Sequence, residues 1–415
     1  FVHGPAPTGL YTLPLRDALP ISAGGRVRLH ASIGEALEKA LGLNPGARTA
    51  ELAHHFTQAV SVLGNEQMLH YTLLAGEHAL DSYAWEEATE QFTRALSAKG
   101  VDPSGTAPAP DAEAAGLLFG LARAKAAKFR LGIGEIQESV SNLRSAFEYY
   151  VAAGDSERAG EIAQSPPRSP VGERGGLMDM MQVALDIAPS GSSAKGQLLA
   201  NYGWSAGMEE GDYPRAEISF QEALEIASEN GDGLLLQRTL AQAAQVDLYH
   251  DRPNDAIEKS KQILRTQPVD LDLTAECAAR FVFCVGADHA GEPVGQRDLD
   301  AFIAAAERLG NRMWLHFAFM VSEFAARKRG DWENARYFGN RGLMVAPGSP
   351  GSLSTMPLTE LNTGEFDRAE ELLQELLGQI PSLSGGSDGI WHFFLVQRVA
   401  QRTRTALQLH RNSFV

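Results

Sequence analysis

Three groups of residues in this 415-residue chain could take part in binding or catalysis: a glycine-containing segment near the N-terminus, several histidines and two cysteines. Residues 4–11 read GPAPTGLY, which has the glycine spacing of a phosphate-binding loop. Leu10 and Tyr11 stand where such a loop needs a lysine and a serine or threonine, and no strand leads into the segment. We therefore predict no nucleotide site here.

The histidines do not have the spacing of metal ligands. His54 and His55 are adjacent, so on a helix they point about 100° apart and cannot share a metal as residues i and i+4 do. His70 and His78 are eight residues apart and have no carboxylate at the spacing of a zinc-protease helix. We predict that all four lie on the surface or between packed helices.

Cys277 and Cys284 are seven residues apart in a helix-like stretch, so they share a face but match no CxxC spacing. They are predicted to be buried free thiols, which suits a reducing compartment. Paired acidic residues are predicted to lie on solvated helix faces, where they serve solubility: Glu86–Glu87, Glu209–Glu210 and Glu370–Glu371. The sequence thus predicts no catalytic residue, no cofactor and no metal, and it identifies no partner-binding residue.

The charge balance argues against a phosphate-binding surface. The chain has 36 basic and 52 acidic residues, a net charge of -16. Its apolar runs are too short to span a bilayer, and no basic segment precedes a cleavable apolar stretch. We expect a cytoplasmic location and no membrane partner.

One helical pattern recurs along the chain. Residues 83–96 read YAWEEATEQFTRAL and place Trp85, Ala88, Phe92 and Leu96 on one face of a helix. The same aromatic-x-x-Ala frame returns at Tyr213/Ala216, Trp332/Ala335 and Phe366/Ala369, and weaker copies lie at Ser139 and Ala256. Ala335 and Ala369 are 34 residues apart and Ala216 and Ala256 are 40 apart, the length of one tetratricopeptide helix pair.

The preceding helix of each pair is expected to carry small residues where its partner crosses closely. These are Gly76, Gly203, Gly207, Ala126 and Ala127. Phe92 and Phe220 should fill the groove, and Trp85 and Phe366 should be buried as well. Gly339 and Gly342 stand where Phe and Ala are expected, which predicts an irregular repeat.

Loop signals separate these units. Residues 101–112, 165–176, 346–357 and 381–389 are rich in Pro, Gly and Ser and lack apolar periodicity. No stretch shows the sustained alternation typical of strands. The sequence therefore predicts an all-α fold, a right-handed α-solenoid of stacked helix-turn-helix, tetratricopeptide-like repeats.

The first residues are treated apart from the fold. Residues 11–22 read YTLPLRDALPIS and resemble the conceptual translation of a common sequencing adapter; the alternative is a genuine proline-broken loop. We expect residues 1–24 to be an artefactual or disordered leader.

A family resemblance rests on several longer stretches. RVRLHASIGEALEKA, ELAHHFTQAV and the helix pair ending at Leu96 resemble the junction between ATPase core and tetratricopeptide array in large bacterial signalling ATPases. GLMDMMQVALDIAPSGSSAKGQLLANYGWSAGMEEGDYPRAEISFQEALEIA and GDWENARYFGNRGLMVAPGSP resemble the MalT-like array of ATP-binding LuxR-class transcriptional regulators. The likeness covers most of residues 25–380.

The resemblance implies a phosphate-loop ATPase before the array and a helix-turn-helix DNA-binding domain after it. No position here matches the nucleotide or DNA contacts of those domains, so none is assigned. ATPase-linked adenylate or guanylate cyclases use similar arrays, so the resemblance does not decide which effector domain the full-length protein carries.

Four segments are predicted: the leader at 1–24, a helical remnant of an ATPase module or linker at 25–60, the solenoid at 61–390 and a truncated further solenoid helix at 391–415. The last segment contains Arg398, Arg402, Arg404 and Arg411 and no acidic residue after Asp388, and its alternative is a DNA-binding arm.

We expect a non-catalytic sensor and protein-interaction segment of an ATPase-coupled LuxR-class regulator. A protein or small inducer would bind its concave face, no nucleic acid would bind this segment directly, and self-association is open in the full-length parent. The alternatives are the regulatory array of a cyclase and a free-standing scaffold.

Overall fold

The computed structural model describes residues 22–42, 46–82, 84–127, 133–165, 176–266 and 270–383. Every regular element in these ranges is helical, with eighteen α-helices, one 3-10 turn and no strand. The predicted all-α class is therefore confirmed. None of the helices in the described ranges is both long and apolar enough to cross a membrane.

The chain divides into two compact units after Lys99. The first unit contains four helices, each packed against the next: α1 (Ala23–Leu41), α2 (Thr49–Leu63), α3 (Glu66–Asp81) and α4 (Trp85–Lys99). The boundary predicted between the helical remnant at 25–60 and the solenoid at 61–390 is not tested by this division and stays a prediction.

The second unit contains the other fourteen helices. They are α5 (Ala112–Ala127), α6 (Ile133–Ala152), α7 (Ser156–Ala163), α8 (Met178–Ile187), α9 (Ser193–Met208), α10 (Tyr213–Glu229), α11 (Gly233–Tyr249), α12 (Pro253–Leu264), α13 (Leu273–His289), α14 (Gln296–Leu309), α15 (Arg312–Lys328), α16 (Trp332–Val345), α17 (Pro350–Thr363) and α18 (Phe366–Leu383). Each packs against its neighbour in sequence, as in a stack of helix pairs.

The recurring frame marks the start of the second helix of a pair. Its aromatic residue is the first residue of α4, α10, α16 and α18, and its alanine is fully buried in all four. Asp212 and Asp331 cap α10 and α16, since their carboxylates accept hydrogen bonds from the third backbone N–H beyond them at 3.1 and 3.2 Å. An aspartate cap followed by an aromatic and a buried alanine thus sets the helix start.

Small residues do allow the close crossing within a pair. A Cβ on Gly76 would lie 2.6 Å from the ring of Phe92, and one on Gly203 would lie 3.1 Å from the ring of Phe220. Both phenylalanines are buried. The predicted groove and its two aromatic plugs are confirmed, because a Cβ on Gly76 would clash with the Phe92 ring and one on Gly203 would press tightly against the Phe220 ring.

In the pair α5–α6 the close contact lies at a different residue from the predicted Ala126 and Ala127. The hydroxyl of Ser139 donates to the carbonyl of Ala122 at 2.8 Å, and both residues are buried. Ala126 is half-buried, and the side chain of Ala127 lies outside the described part. The crossing is one turn earlier in α5 than the alanine pair indicated.

The predicted burial of Trp85 and Phe366 is wrong. Both are half-buried, as are Tyr213 and Trp332 at the same position of the frame. Since these aromatics are the first residues of their helices, they lie a full turn before the buried positions around the alanine and cover only the edge of the core.

Gly339 and Gly342 do not interrupt α16, which runs unbroken from Trp332 to Val345. Both glycines are buried, and the sulfur of Met356 from α17 packs against Gly339. This repeat is irregular because the space beside Gly339 is filled by Met356 of the following helix, α17, and not by a phenylalanine of α16 itself.

The loop predicted at 346–357 is wrong for most of its length, because α17 begins at Pro350 and contains Pro357. Pro350 is tolerated because it is the first helical residue, where its missing N–H has no partner anyway, whereas Pro357 lies inside the helix. Leu353 and Met356 are fully buried, so tertiary packing outweighs the local signals of this segment. Residues 101–111 form the predicted loop, and most of 165–176 and 381–389 lie outside the described ranges.

Candidate functional site

From α9 onward, the odd-numbered helices of the second unit form a continuous layer. Besides packing against its neighbours in sequence, α9 contacts α11, α11 contacts α13, α13 contacts α15, and α15 contacts α17. Helices on the inner side of a curved stack approach one another, whereas those on the outer side spread apart. We call α9, α11, α13, α15 and α17 the inner layer and treat it as the candidate binding surface.

A chain of buried amides joins the first helices of the inner layer. The Asn201 amide donates to the carbonyl of Gln164, which follows α7, at 3.0 Å. The Asn201 side-chain oxygen accepts hydrogen bonds from Gln197 at 3.3 Å and from Gln242 on α11 at 3.2 Å. Asn201 and Gln242 are only 4% and 6% exposed, so these bonds fix the register of α7, α9 and α11.

A second amide contact joins α11 to the start of α13. Gln237 donates to the carbonyl of Asp270 and accepts from the backbone N–H of Asp272, both at 2.9 Å. Asp272 in turn caps α13 by accepting from the N–H of Ala275 at 2.8 Å. The inner layer is thus held by polar side chains at specific positions as well as by apolar packing.

An aromatic group lies where α13 meets α15. The ring centroids of Phe281 and Phe317 are 5.3 Å apart, and Trp314 lies 6.3 Å from the first and 5.9 Å from the second. Phe281 and Phe317 are half-buried, while Trp314 is buried. Two adjacent repeats therefore present aromatic surface side by side, an arrangement that suits an apolar or aromatic ligand group.

His316 and Ser349 form a buried pair that links α15 to the start of α17. His316 Nε2 lies 2.9 Å from Ser349 Oγ, and the two residues are 5% and 7% exposed. Burial lowers the pKa of His316. Because both side chains are buried between α15 and α17, the arrangement suits helix packing better than nucleophilic catalysis.

An open cleft of about 300 Å³ lies between α12, α13 and α14. Its apolar lining includes Leu264 and Phe283, and Lys261 and Arg280 are among its charged residues. Glu258 holds Lys261 at 3.0 Å and Glu276 holds Arg280 at 2.8 Å. With these cations already paired, the cleft offers no strong attraction for an anion.

The histidines singled out in the sequence lie on two neighbouring helices. His70 and His78 are exposed on α3. His54 and His55 on α2 both lie beside His30 of α1, which the sequence analysis did not single out. No group of three or more His, Cys, Asp or Glu residues in the described ranges is arranged to hold a metal ion.

The acidic pairs are solvated as predicted, with one exception. Glu86, Glu87, Glu210 and Glu371 are exposed and Glu370 is half-buried, but Glu209 is only 8% exposed. Glu209 ends α9 and extends the polar face formed by Asn201 and Ser205 at helical spacing. It belongs to the inner layer and does not face solvent. The glycine segment at 4–11 and the arginines at 398–411 lie outside the described residues.

Cys277 and Cys284 are buried free thiols, as predicted. Burial raises the pKa of each to about 12. At pH 8 we expect the folded protein to react with a disulfide reagent such as DTNB far more slowly than the denatured protein, which should show two reactive thiols. Fast reaction of either cysteine in the folded chain would contradict this placement, since reaction requires an accessible thiolate.

Comparison with known proteins gives no family. No family model matches the chain, and no curated protein matches it. A solved structure described as a circular tandem repeat protein with novel repeat topology and enhanced subunit contact surfaces is 15% identical. The match covers 95% of this chain and 99% of that one, with a TM-score of 0.17. That likeness is too weak to carry an argument, so the class rests on the helices themselves: an all-α helical repeat protein.

Proposed function

We propose that this chain is the sensor and protein-interaction segment of an ATPase-coupled, LuxR-class transcriptional regulator and has no catalytic activity of its own. The proposal is supported by the sequence resemblance and by the array of helix pairs. The single observation that carries it is the inner layer, because its helices contact one another across successive repeats. A ligand seated on that layer would touch more than one repeat at once.

The proposed mechanism is a shift between arrangements of the array. A protein segment or small inducer that contacts Phe281 on α13 and Phe317 on α15 would favour the spacing of these helices that fits it best. Because each repeat contacts only its neighbours, a change in one interface biases the next one along the stack. A ligand can shift the parent protein only by its difference in affinity between the two arrangements.

Sequencing the genomic reading frame on both sides of this segment would test the proposal directly. A phosphate-loop module upstream and a helix-turn-helix domain downstream would support it. A cyclase domain would instead indicate the regulatory array of a signalling enzyme, and a frame with neither would indicate a free-standing scaffold. Either of these results would refute the regulator assignment. We propose a cytoplasmic location on the same basis.

We predict that the isolated polypeptide neither hydrolyses ATP nor binds a cognate promoter specifically. The reason is the absence of the phosphate-loop lysine and serine at residues 10–11, together with the acidic net charge of -16. Phosphate release and fluorescence anisotropy in low salt measure the two activities.

The control for DNA binding replaces Arg398, Arg402, Arg404 and Arg411 with alanine. Sequence-specific binding that disappears in this variant, or saturable ATP turnover that follows the protein through purification, would contradict the prediction. Weak binding that is indifferent to sequence and abolished by salt would agree with it, because clustered arginines release counterions from any duplex.

A further inference from the structure

Three imidazoles from two helices meet in the first unit. The ring centroid of His30 on α1 lies 5.0 Å from that of His55 and 5.5 Å from that of His54, both on α2. The rings of His54 and His55 are 5.6 Å apart. The Nδ1 atoms of His30 and His55 are 2.9 Å apart, which is a hydrogen-bond distance. We call His30, His54 and His55 the histidine cluster.

The short contact depends on protonation. A hydrogen bond between two Nδ1 atoms needs one N–H donor and one nitrogen with a free lone pair. At least one of the two rings must therefore be neutral. When both are protonated, two N–H groups face each other and the hydrogen bond becomes a repulsion between like charges.

The surroundings of the cluster offer little to offset that repulsion. The pKa of His55 is lowered mainly by burial and further by His30 and His54, and the opposing effect of Glu51 is the smallest. Glu51 is itself paired with Arg48 at 2.8 Å. On the side of α3, Tyr71 donates to Glu38 of α1 at 2.8 Å, so that carboxylate is engaged as well.

Helix α1 has a thin attachment to the rest of its unit. Only Ala31 and Gly34 of its nineteen residues are buried. A Cβ on Gly34 would lie 3.2 Å from the ring of Phe56, so this one close approach carries much of the apolar contact. The histidine cluster and the Tyr71–Glu38 hydrogen bond therefore contribute a large share of what holds α1 in place.

From this geometry we infer that the histidine cluster is an acid-sensitive latch, which holds α1 on α2 while at least one ring of the His30–His55 pair is neutral and releases α1 when both are protonated. The inference does not depend on the proposed function, because it concerns the docking of one helix. Among the described residues, these three histidines are not arranged with one another or with a Cys, Asp or Glu in a way that could hold a metal ion.

The direction of the pH effect follows from proton linkage. Because the folded state lowers the pKa of His55, the undocked state binds more protons as pH falls. Docking is then complete above the ordinary histidine pKa of about 6.5 and weakens as pH falls below it. For each additional proton bound by the undocked state, the equilibrium constant for undocking of α1 rises by up to about tenfold per unit fall in pH across that window.

Hydrogen–deuterium exchange of α1 in the full chain tests the inference. Peptides covering Ala23–Leu41 should exchange faster at pH 5.5 than at pH 7.5, after correction for the intrinsic pH dependence of exchange. Peptides of α3 should change far less. His30→Gln and His55→Gln should both remove the acid effect on α1. His78→Gln is the matched control, since His78 is exposed on α3, and it should behave as the unchanged chain does.

Two exchange results would overturn the latch: α1 protection that is the same at both pH values, or an acid effect that persists in both glutamine variants. Zinc that strengthens α1 protection in the unchanged chain but not in His30→Gln would also overturn it, in favour of a metal site. Should the glutamine variants lose α1 protection already at pH 7.5, NMR titration of the unchanged chain decides. A His55 ring that titrates below about 6.5 supports the latch, and one that does not refutes it.

Discussion

Phe92→Ala will lower the free energy of unfolding of the first unit by about 3 to 5 kcal/mol. Phe92 is fully buried in α4, and its ring lies against the bare backbone of Gly76 in α3. Alanine would leave a cavity at the crossing of the two helices, and the cavity adds to the lost transfer free energy of the ring. Equilibrium urea unfolding followed by circular dichroism measures the change.

A matched control separates this effect from the general loss of an aromatic ring. Phe324 is 38% exposed on α15, so Phe324→Ala removes the same atoms from a site that water already reaches. We expect that variant to change stability by less than about 1 kcal/mol. Equal effects of the two substitutions would show that Phe92 does not fill the groove of the α3–α4 pair.

The repeat frame could be predicted because the information is local. A helix that buries one face needs apolar residues every three to four positions, and a close crossing needs a small one. Ala88, Ala216, Ala335 and Ala369 satisfy both conditions within a dozen residues each, and all four are fully buried. Gly76 and Gly203, which face the rings of Phe92 and Phe220, belong to the preceding helices α3 and α9, so the pairing of these helices could be read from the sequence as well.

Local patterns failed where packing between helices decides the structure. Residues 346–357 contain three prolines, two glycines and three serines, a composition typical of turns, yet most of the segment is helical because Leu353 and Met356 are buried in a core. Trp85 has the right type and period for burial, but its place at the very start of α4 leaves it half-buried. In the first case tertiary packing outweighed the local turn propensity. In the second case the position of Trp85 at the start of the helix outweighed its apolar pattern.

The polar side-chain contacts between helices could not be predicted from the sequence. His30 meets His55 across 25 positions, His316 meets Ser349 across 33, and Asn201 meets Gln242 across 41. No local period links such residues, because each contact depends on how two helices rotate about their axes when they pack. The same limit applies to the inner layer, where Asn201, Gln242, Phe281 and Phe317 were not singled out from the sequence.

Arg336→Met will destabilise the end of the second unit by about 2 to 3 kcal/mol. Arg336 on α16 donates to Glu360 of α17 from Nε at 3.1 Å and from Nη2 at 2.7 Å. Glu360 is only 3% exposed, so methionine would leave its carboxylate buried without a cation. Breaking a fully buried pair in this way costs about 3 to 5 kcal/mol. We expect less here because the Arg336 side chain is 35% exposed and solvent screens part of the charge.

A double variant tests whether the stranded charge is the cause. Arg336→Met combined with Glu360→Gln removes the buried charge along with its partner, so it should recover most of the stability that Arg336→Met loses. Arg368→Met is the matched control, because Arg368 pairs with Glu371 on the exposed face of α18, where both side chains are about half or more exposed. That substitution should change the unfolding midpoint little. If the double variant were as unstable as Arg336→Met alone, the loss would come from the packing of the arginine stem between α16 and α17 and not from the unpaired carboxylate.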